Sequence, residues 1–502
     1  MTEPINLYKQ SQKSVINYYK AGWMRRCSEN PFSYLPCEVY HDLVDYTLSL
    51  PCHELPELSK LCLLLINYRL HRIDLSCFED YKRVPGYDFD KPRKTCSLLI
   101  RELSKYTFPN VQSIYVPFRF SFTSKELGDL IQGCPNLKTL HTAAYFDLSA
   151  IENCKRLRSI RIHSYFHLIS DFLEKRAYSL MHLEDLNVLS VCNAEPCFRT
   201  YECVANILIH CRNVFSVGMI DSSMAINYII NERSHADLDF PFAFRLRRCF
   251  WGYDYGKQLE RSEDAIIYKT NYTNIIRTAS TACPLVEELV MQVFQKESLK
   301  PLGLLRRLSS LDINFTQCDG NFLPDFFSLL SEIGHNLKHL SLEGNVTFPV
   351  NALCNYCINL ESLQIKDLAG VEDPIEPCTS LKKLKRFYVN SVNQECLQFM
   401  LKYCTNVREL FLGNVQYLDD IKMRKILHNN SLAKLELLSI DACNLSEQGL
   451  YLLVKSATNL KNFYLGSPRY SLQSMIREMK RTINYVDIPT DFFYQKLHNC
   501  TF

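Results

Sequence analysis

A chain of 502 residues that is 47% hydrophobic and 22% charged can bury a large core or a long array, and that balance excludes intrinsic disorder. The formal net charge of +3 supplies no long-range attraction for nucleic acid or an anionic membrane, so neither is expected as a partner. The first residues lack the basic and then apolar run of a signal peptide, and no stretch of about 18 apolar residues follows, which predicts a cytoplasmic or nuclear protein. In such a reducing compartment the 22 cysteines are expected as small buried apolar side chains rather than disulfides.

Residues 1–66 form a first segment with helical patterning. Leu7, Ser11 and Val15 lie four apart, and Ile16, Tyr19 and Trp23 extend an apolar stripe, which predicts an amphipathic helix over residues 4–25. After a turn at residues 28–31, the run from Tyr34 to Leu43 predicts a second helix, with Pro36 tolerated in its first turn. A third apolar stretch, Leu58 to Leu65, leads into Leu70-x-x-Ile73-x-Leu75, the first strand-like pattern.

From there Leu-x-x-Leu-x-Leu recurs to residue 490, followed by a tail at 491–502. Its first positions are Leu70, Val111, Leu137, Leu157, Leu183, Val214, Val286, Leu308, Leu337, Leu360, Leu384, Val407, Leu435, Leu460 and Ile483. From Val286 the steps are 22, 29, 23, 24, 23, 28, 25 and 23 residues, within the leucine-rich-repeat range. The clearest copy begins at Leu435: Leu438 and Ile440 alternate with Leu437, Ser439 and Asp441 as a strand would, and Ser446 is placed to cap a helix carrying Leu450, Leu453 and Val454 on one face. Thr123-Ser-Lys-Glu126 and Asn393 give similar helix starts.

Strand and helix alternate, so the predicted fold is α/β: a solenoid with a parallel sheet on its concave side and helices outside. Six units carry a cysteine three residues before the first Leu or Val: Cys134, Cys154, Cys211, Cys283, Cys357 and Cys404. A small apolar side chain fits between packed layers there. Cys354 and Cys357 form a lone CxxC, too few ligands for a closed zinc site, so packing is the reading and neither metal nor cofactor is expected. The rhythm breaks near 220–282, where Leu246-x-x-Cys249-x-Trp251 reads as a degenerate strand and the residues from Gly252 to Asp264 as a long loop. That insertion reads either as a recognition element or as a lengthened repeat.

In the strands, the third, fifth and seventh positions are expected to point away from the core. Late repeats present Arg386, Tyr388, Phe411, Ser439, Asp441 and Tyr464 there, a composition suited to protein recognition, and earlier repeats offer Tyr115, His141, Arg161 and His163. The competing reading is that the tail, with Phe492, Phe493 and Tyr494, folds over the late surface. With no glycine-rich phosphate loop, no HExxH and no Cys/His pair in a motif context, a binding protein is expected rather than an enzyme.

The pattern Cys443-x-Leu445-Ser446-x-x-Gly449-Leu450-x-x-Leu453 resembles the cysteine-containing leucine-rich repeats of F-box proteins and of other substrate receptors of cullin-RING ubiquitin ligases, the PRAME-like ones among them. Leu7-x-x-x-Ser11-x-x-x-Val15 resembles the box that binds elongin B/C, with Asn6 where the motif more usually has Ser, Thr, Ala or Pro. Leu35-Pro36-x-x-Val39-x-x-x-Leu43 is similar to the box for a cullin-2 type scaffold that often follows it. The same stretch also resembles the opening of an F-box, which would bind a Skp-type adaptor through residues 33 to about 75. A third reading has these helices cap the open end of the array. The ligase resemblance implies a non-catalytic receptor that holds a target protein on its concave face.

Overall fold

The computed structural model describes residues 7–21, 32, 35–48, 61, 70–75, 90–116, 124–142, 146–162, 182–188, 200–231, 243–252, 263–318, 320–344, 347–369, 380–466 and 484–488. They fall in two compact units, Met1–Ile220 and Asp221–Phe502. The predicted elements at Thr123, His163, Ile483 and the 491–502 tail, and most of the 58–65 stretch, lie outside the described residues.

The first unit opens with helices α1 (Leu7–Lys20) and α2 (Cys37–Leu48). Strands β1 (Arg72–Asp74), β2 (Ser113–Val116), β3 (Thr139–Thr142), β4 (Ser159–Ile162), β5 (Asp185–Val188) and β6 (Ser216–Asp221) follow, each parallel to the next. Between them run α3 (Asp90–Leu103), α4 (Ser124–Gln132) and α5 (Thr200–His210), with a 3-10 turn at Leu148–Asn153 in the shortest repeat.

The second unit begins with α6 (Ser222–Asn231) and β7 (Arg248–Trp251), then α7 (Glu263–Ala282) and β8 (Glu288–Gln292). It continues through β9 (Ser310–Asn314), α8 (Leu323–Ile333), β10 (His339–Glu343), the short β11 (Phe348–Pro349), α9 (Val350–Tyr356) and β12 (Ser362–Ala369). Then come β13 (Arg386–Val392), α10 (Gln394–Tyr403), β14 (Glu409–Val415), α11 (Asp420–Asn429), β15 (Leu437–Cys443), α12 (Glu447–Ser456), β16 (Asn462–Gly466) and β17 (Asn484–Ile488). Their pairing is parallel throughout, so both units are leucine-rich-repeat arrays.

One device starts most of the described strands. The N–H of the first Leu or Val donates to the carbonyl three residues back, as from Leu137 to Cys134 (3.1 Å), Leu157 to Cys154 (3.0 Å), Leu360 to Cys357 (3.2 Å) and Leu460 to Ala457 (3.1 Å). Side chains at that third residue are enclosed, which explains the six cysteines: all six are buried. Burial pushes the thiols of Cys134, Cys211 and Cys357 up to about 12 and that of Cys154 to about 11, so they stay neutral and pack as apolar groups.

The next residue fixes register. The carbonyl of Gln112 accepts from Lys138 (2.8 Å) and Thr139 (3.0 Å) of the following repeat, and Glu361 serves Lys385 (2.8 Å) and Arg386 (3.1 Å) in the same way. An asparagine ladder supports this turn: Asn136, Asn336, Asn359 and Asn406 donate through Nδ2 to the carbonyls of Pro109, Arg306, His335 and Lys382 in the preceding repeats, at 2.8, 3.1, 2.6 and 2.6 Å. Four turn carbonyls thereby gain a side-chain donor from the following repeat.

The interval near 220–282 contains a repeat rather than a structureless break. Leu246 and Trp251 are fully buried, and β7 pairs with β8 as any other repeat does. Asp221 holds its entrance, accepting from the Ser223 N–H (2.8 Å) and hydroxyl (2.6 Å) and from the Gly252 N–H (2.8 Å). Gly252 has φ +73°, and a Cβ there would meet the Gln292 carbonyl at 3.0 Å, so glycine is required. Helix α7 starts at Glu263, so the last two residues of the expected loop, Glu263 and Asp264, are helical; residues 253–262 lie outside the described set.

Candidate functional site

Two surfaces bear on function: the N-terminal helix pair and the rows of side chains that parallel pairing lines up across the strands.

On α1, Gln12, Ile16 and Tyr19 are buried, and the Gln12 amide donates to the Asp42 carbonyl of α2 at 3.2 Å. With about 100° of rotation per residue, Leu7, Ser11, Ser14 and Tyr18 fall within about 60° of arc, well away from that buried stripe. Ser11 and Ser14 are exposed, Tyr18 is 57% exposed and Val15, at the edge, is half-buried. Leu7 is the first residue of α1, and its side chain lies outside the described residues. Of the spacing that resembles an elongin box, Ser11 therefore sits on the face that α2 leaves uncovered and Val15 at its edge.

The second predicted box divides. Pro36 is exposed and Leu35 and Val39 are half-buried, but Leu43 is 3% exposed. The expectation of Leu43 as a surface anchor is corrected: with Tyr40, Val44 and Thr47 it forms the buried side of α2, where it supports the helix.

In the second unit, register aligns Gln364, Tyr388, Phe411, Ser439 and Tyr464 on adjacent strands. The expectation that these side chains face water is corrected at three positions, since Tyr388 and Phe411 are each 7% exposed and Ser439 is 2% exposed. Neighbouring parallel strands lie about 4.8 Å apart, so rings at equal positions meet. Tyr388 and Phe411 stack with centroids 4.4 Å apart and planes 30° apart. The Tyr388 hydroxyl donates to Glu409 Oε2 at 2.5 Å, and Arg386 Nε lies 3.6 Å from the other oxygen of Glu409. Arg386, Tyr388 and Phe411 are thus engaged with one another through Glu409 and the ring stack. Asp441 and Tyr464 are half-buried; a Cβ on Gly466 would meet Asp441 Oδ1 at 2.5 Å, and burial raises the Asp441 carboxyl above its ordinary range.

The corresponding row of the first unit is polar: Asp74, Tyr115, His141, Arg161 and Asn187 share one register across β1 to β5. The Tyr115 and His141 rings meet edge to face at 5.9 Å. Burial and the adjacent Arg161 guanidinium hold His141 below the usual histidine range. Sequence reading placed Tyr115, His141 and Arg161 here and missed Asp74 and Asn187. The signal was the same fifth position in their repeats.

No family model matches the chain, and no curated protein does. Among solved structures it is similar to one described as the crystal structure of the Rad7 and Elc1 complex in yeast, at 14% identity over 89% of this chain and 96% of that one, with a TM-score of 0.45. It is also similar to a leucine-rich-repeat protein of Leptospira interrogans, at 13% identity over 87% of this chain and 98% of that one, with a TM-score of 0.28. At these scores neither likeness assigns a function.

Proposed function

We propose that this chain is the non-catalytic substrate-recognition subunit of a cullin-RING ubiquitin ligase, present in the cytoplasm or nucleus. Helix α1 binds elongin B/C, α2 contributes to a cullin-2 type scaffold, and the strand rows bind the target protein. The supporting observation is the uncovered face of α1, where Ser11, Ser14 and Tyr18 are exposed, Ser11 being the central residue of the Leu7-x-x-x-Ser11-x-x-x-Val15 spacing. A small residue at Ser11 lets a partner approach the helix closely, and an amphipathic helix docking in an apolar groove is a recurrent recognition mode. The mechanism is proximity: α1 and α2 hold the ligase and the strand rows hold the target, while transfer chemistry belongs to other subunits.

The test is capture of purified elongin B/C by the full chain. Binding is expected and should be abolished by combining Leu7→Ala with Ser11→Phe, with the thermal melt unchanged. Lys13→Glu, exposed on another side of α1, should leave it intact. Unchanged capture by the double variant removes the assignment of α1, and capture of a Skp-type adaptor in place of elongin would establish the F-box reading.

A further inference from the structure

The two strand rows differ in how far their charges are already matched. In the second unit, Glu409 lies beside Arg386 and accepts from Tyr388. In the first, Arg161 is half-buried on the sheet face and makes no hydrogen bond or ion pair within 4 Å among the described residues. Its row neighbours by register are His141 on one side, whose ring can donate a hydrogen bond, and position 187 on the other. Among the described residues, strands β1 to β5 carry two carboxylates. Asp185, two residues earlier on β5 than position 187, accepts from the Ser159 hydroxyl through Oδ2 at 3.5 Å, while its Oδ1 is buried with no hydrogen-bond partner among the described residues. Asp74 stands three strands from Arg161, about 14 Å at ordinary strand spacing. Neither pairs with the guanidinium.

A half-buried guanidinium has lost part of its hydration, and a planar carboxylate returns it best, through two parallel N–H···O bonds. We propose that the β3 to β5 face of the first unit binds an acidic segment of the target protein, whose Glu or Asp side chain lies on Arg161. His141 then donates to a remaining acceptor, and Tyr115 forms an aromatic wall beside it. This places the principal anchor in the early repeats rather than on the late residues Arg386, Tyr388 and Phe411. It rests on the reading of the strand rows as the target surface; elongin capture tests α1 separately, so the two failures are distinguishable.

The experiment uses the full chain on an array of terminally blocked decapeptides of varied sequence, each made in two forms with Glu or Gln at its centre. The best binders are then titrated by fluorescence anisotropy. The Glu forms should bind at least tenfold more tightly than their Gln partners, with the preference shrinking as salt rises. Arg161→Gln should erase the preference, Arg161→Lys should keep part of it, and Arg386→Gln should leave it unchanged. Equal binding of paired peptides, survival of the preference in Arg161→Gln, or no binding of any peptide would each overturn the proposal.

Discussion

Asp420 in α11 accepts a hydrogen bond from the Ser446 backbone N–H at 2.8 Å and another from the Ser446 hydroxyl, while Ser446 caps α12 by accepting from the Gly449 N–H at 3.3 Å. One repeat's carboxylate thus holds the helix start of the next. Ser446→Ala removes a cap and a bond to a charged group, and should cost about 1–3 kcal/mol in urea unfolding. Gly449 sharpens the test, because a Cβ there would meet Asp420 Oδ1 at 2.1 Å. Gly449→Ala should therefore destabilise, against the usual helix preference for alanine, and should become neutral or stabilising once Asp420→Ala has cleared the space.

Asn430 fastens a neighbouring turn from inside. Its Nδ2 donates to the carbonyls of Leu401 (2.7 Å) and Cys404 (3.3 Å), and its Oδ1 accepts from the Leu432 N–H (3.1 Å). Leu432, at φ 54°, occupies the position that cysteine takes elsewhere. Asn430→Ala strands these buried groups and should cost about 2–4 kcal/mol. A loss under about 0.5 kcal/mol would mean that water replaces the side chain.

The array was legible because its core obeys one spacing. All fourteen first-position residues from Leu70 to Leu460 are buried, as are the six cysteines three residues ahead of them. The caps at Ser446 and Asn393 were legible for the same local reason, and Asn393 accepts from the Cys396 N–H at 2.8 Å. What sequence could not give were contacts between repeats. Asp420 reaches Ser446 across 26 residues, and Asn406 reaches Lys382 across 24. Alternation marked Tyr388 and Phe411 as outward, which they are with respect to the helices, but it carries no information about burial by the next strand. Leu43 fits both a box spacing and a core stripe, and only packing decides between them.

The buried ring stack gives a graded prediction. Tyr388→Phe keeps the stack on Phe411 and loses the bond to Glu409, for about 1–3 kcal/mol. Tyr388→Ala loses both and should cost about 3–5 kcal/mol. Leu438→Ala, on the inner side, should cost about 2–5 kcal/mol, whereas Ser439→Ala beside it removes only a hydroxyl and should stay below about 1 kcal/mol. Equal losses at Leu438 and Ser439, measured by chemical denaturation, would mean that the two faces of β15 are exchanged.

Asp312 lies in the same row of the second unit, paired in register with Ser341 and Val290. Burial pushes its carboxyl up to about 6 from an ordinary 3.8, a hydrogen bond from Ser341 partly offsets this, and nearby Glu343 adds to it. The folded state then holds its proton more tightly than the unfolded chain does. Ionised Asp312 therefore weakens the fold above pH 6, and the loss is recovered as pH falls from about 6 through 3.8. Asp312→Asn, nearly the same shape without the charge, should raise the melting temperature at pH 8. The gain over the natural chain should shrink steadily on acidification and largely vanish near pH 4. A difference that is constant with pH would show that the variant changes packing rather than ionisation.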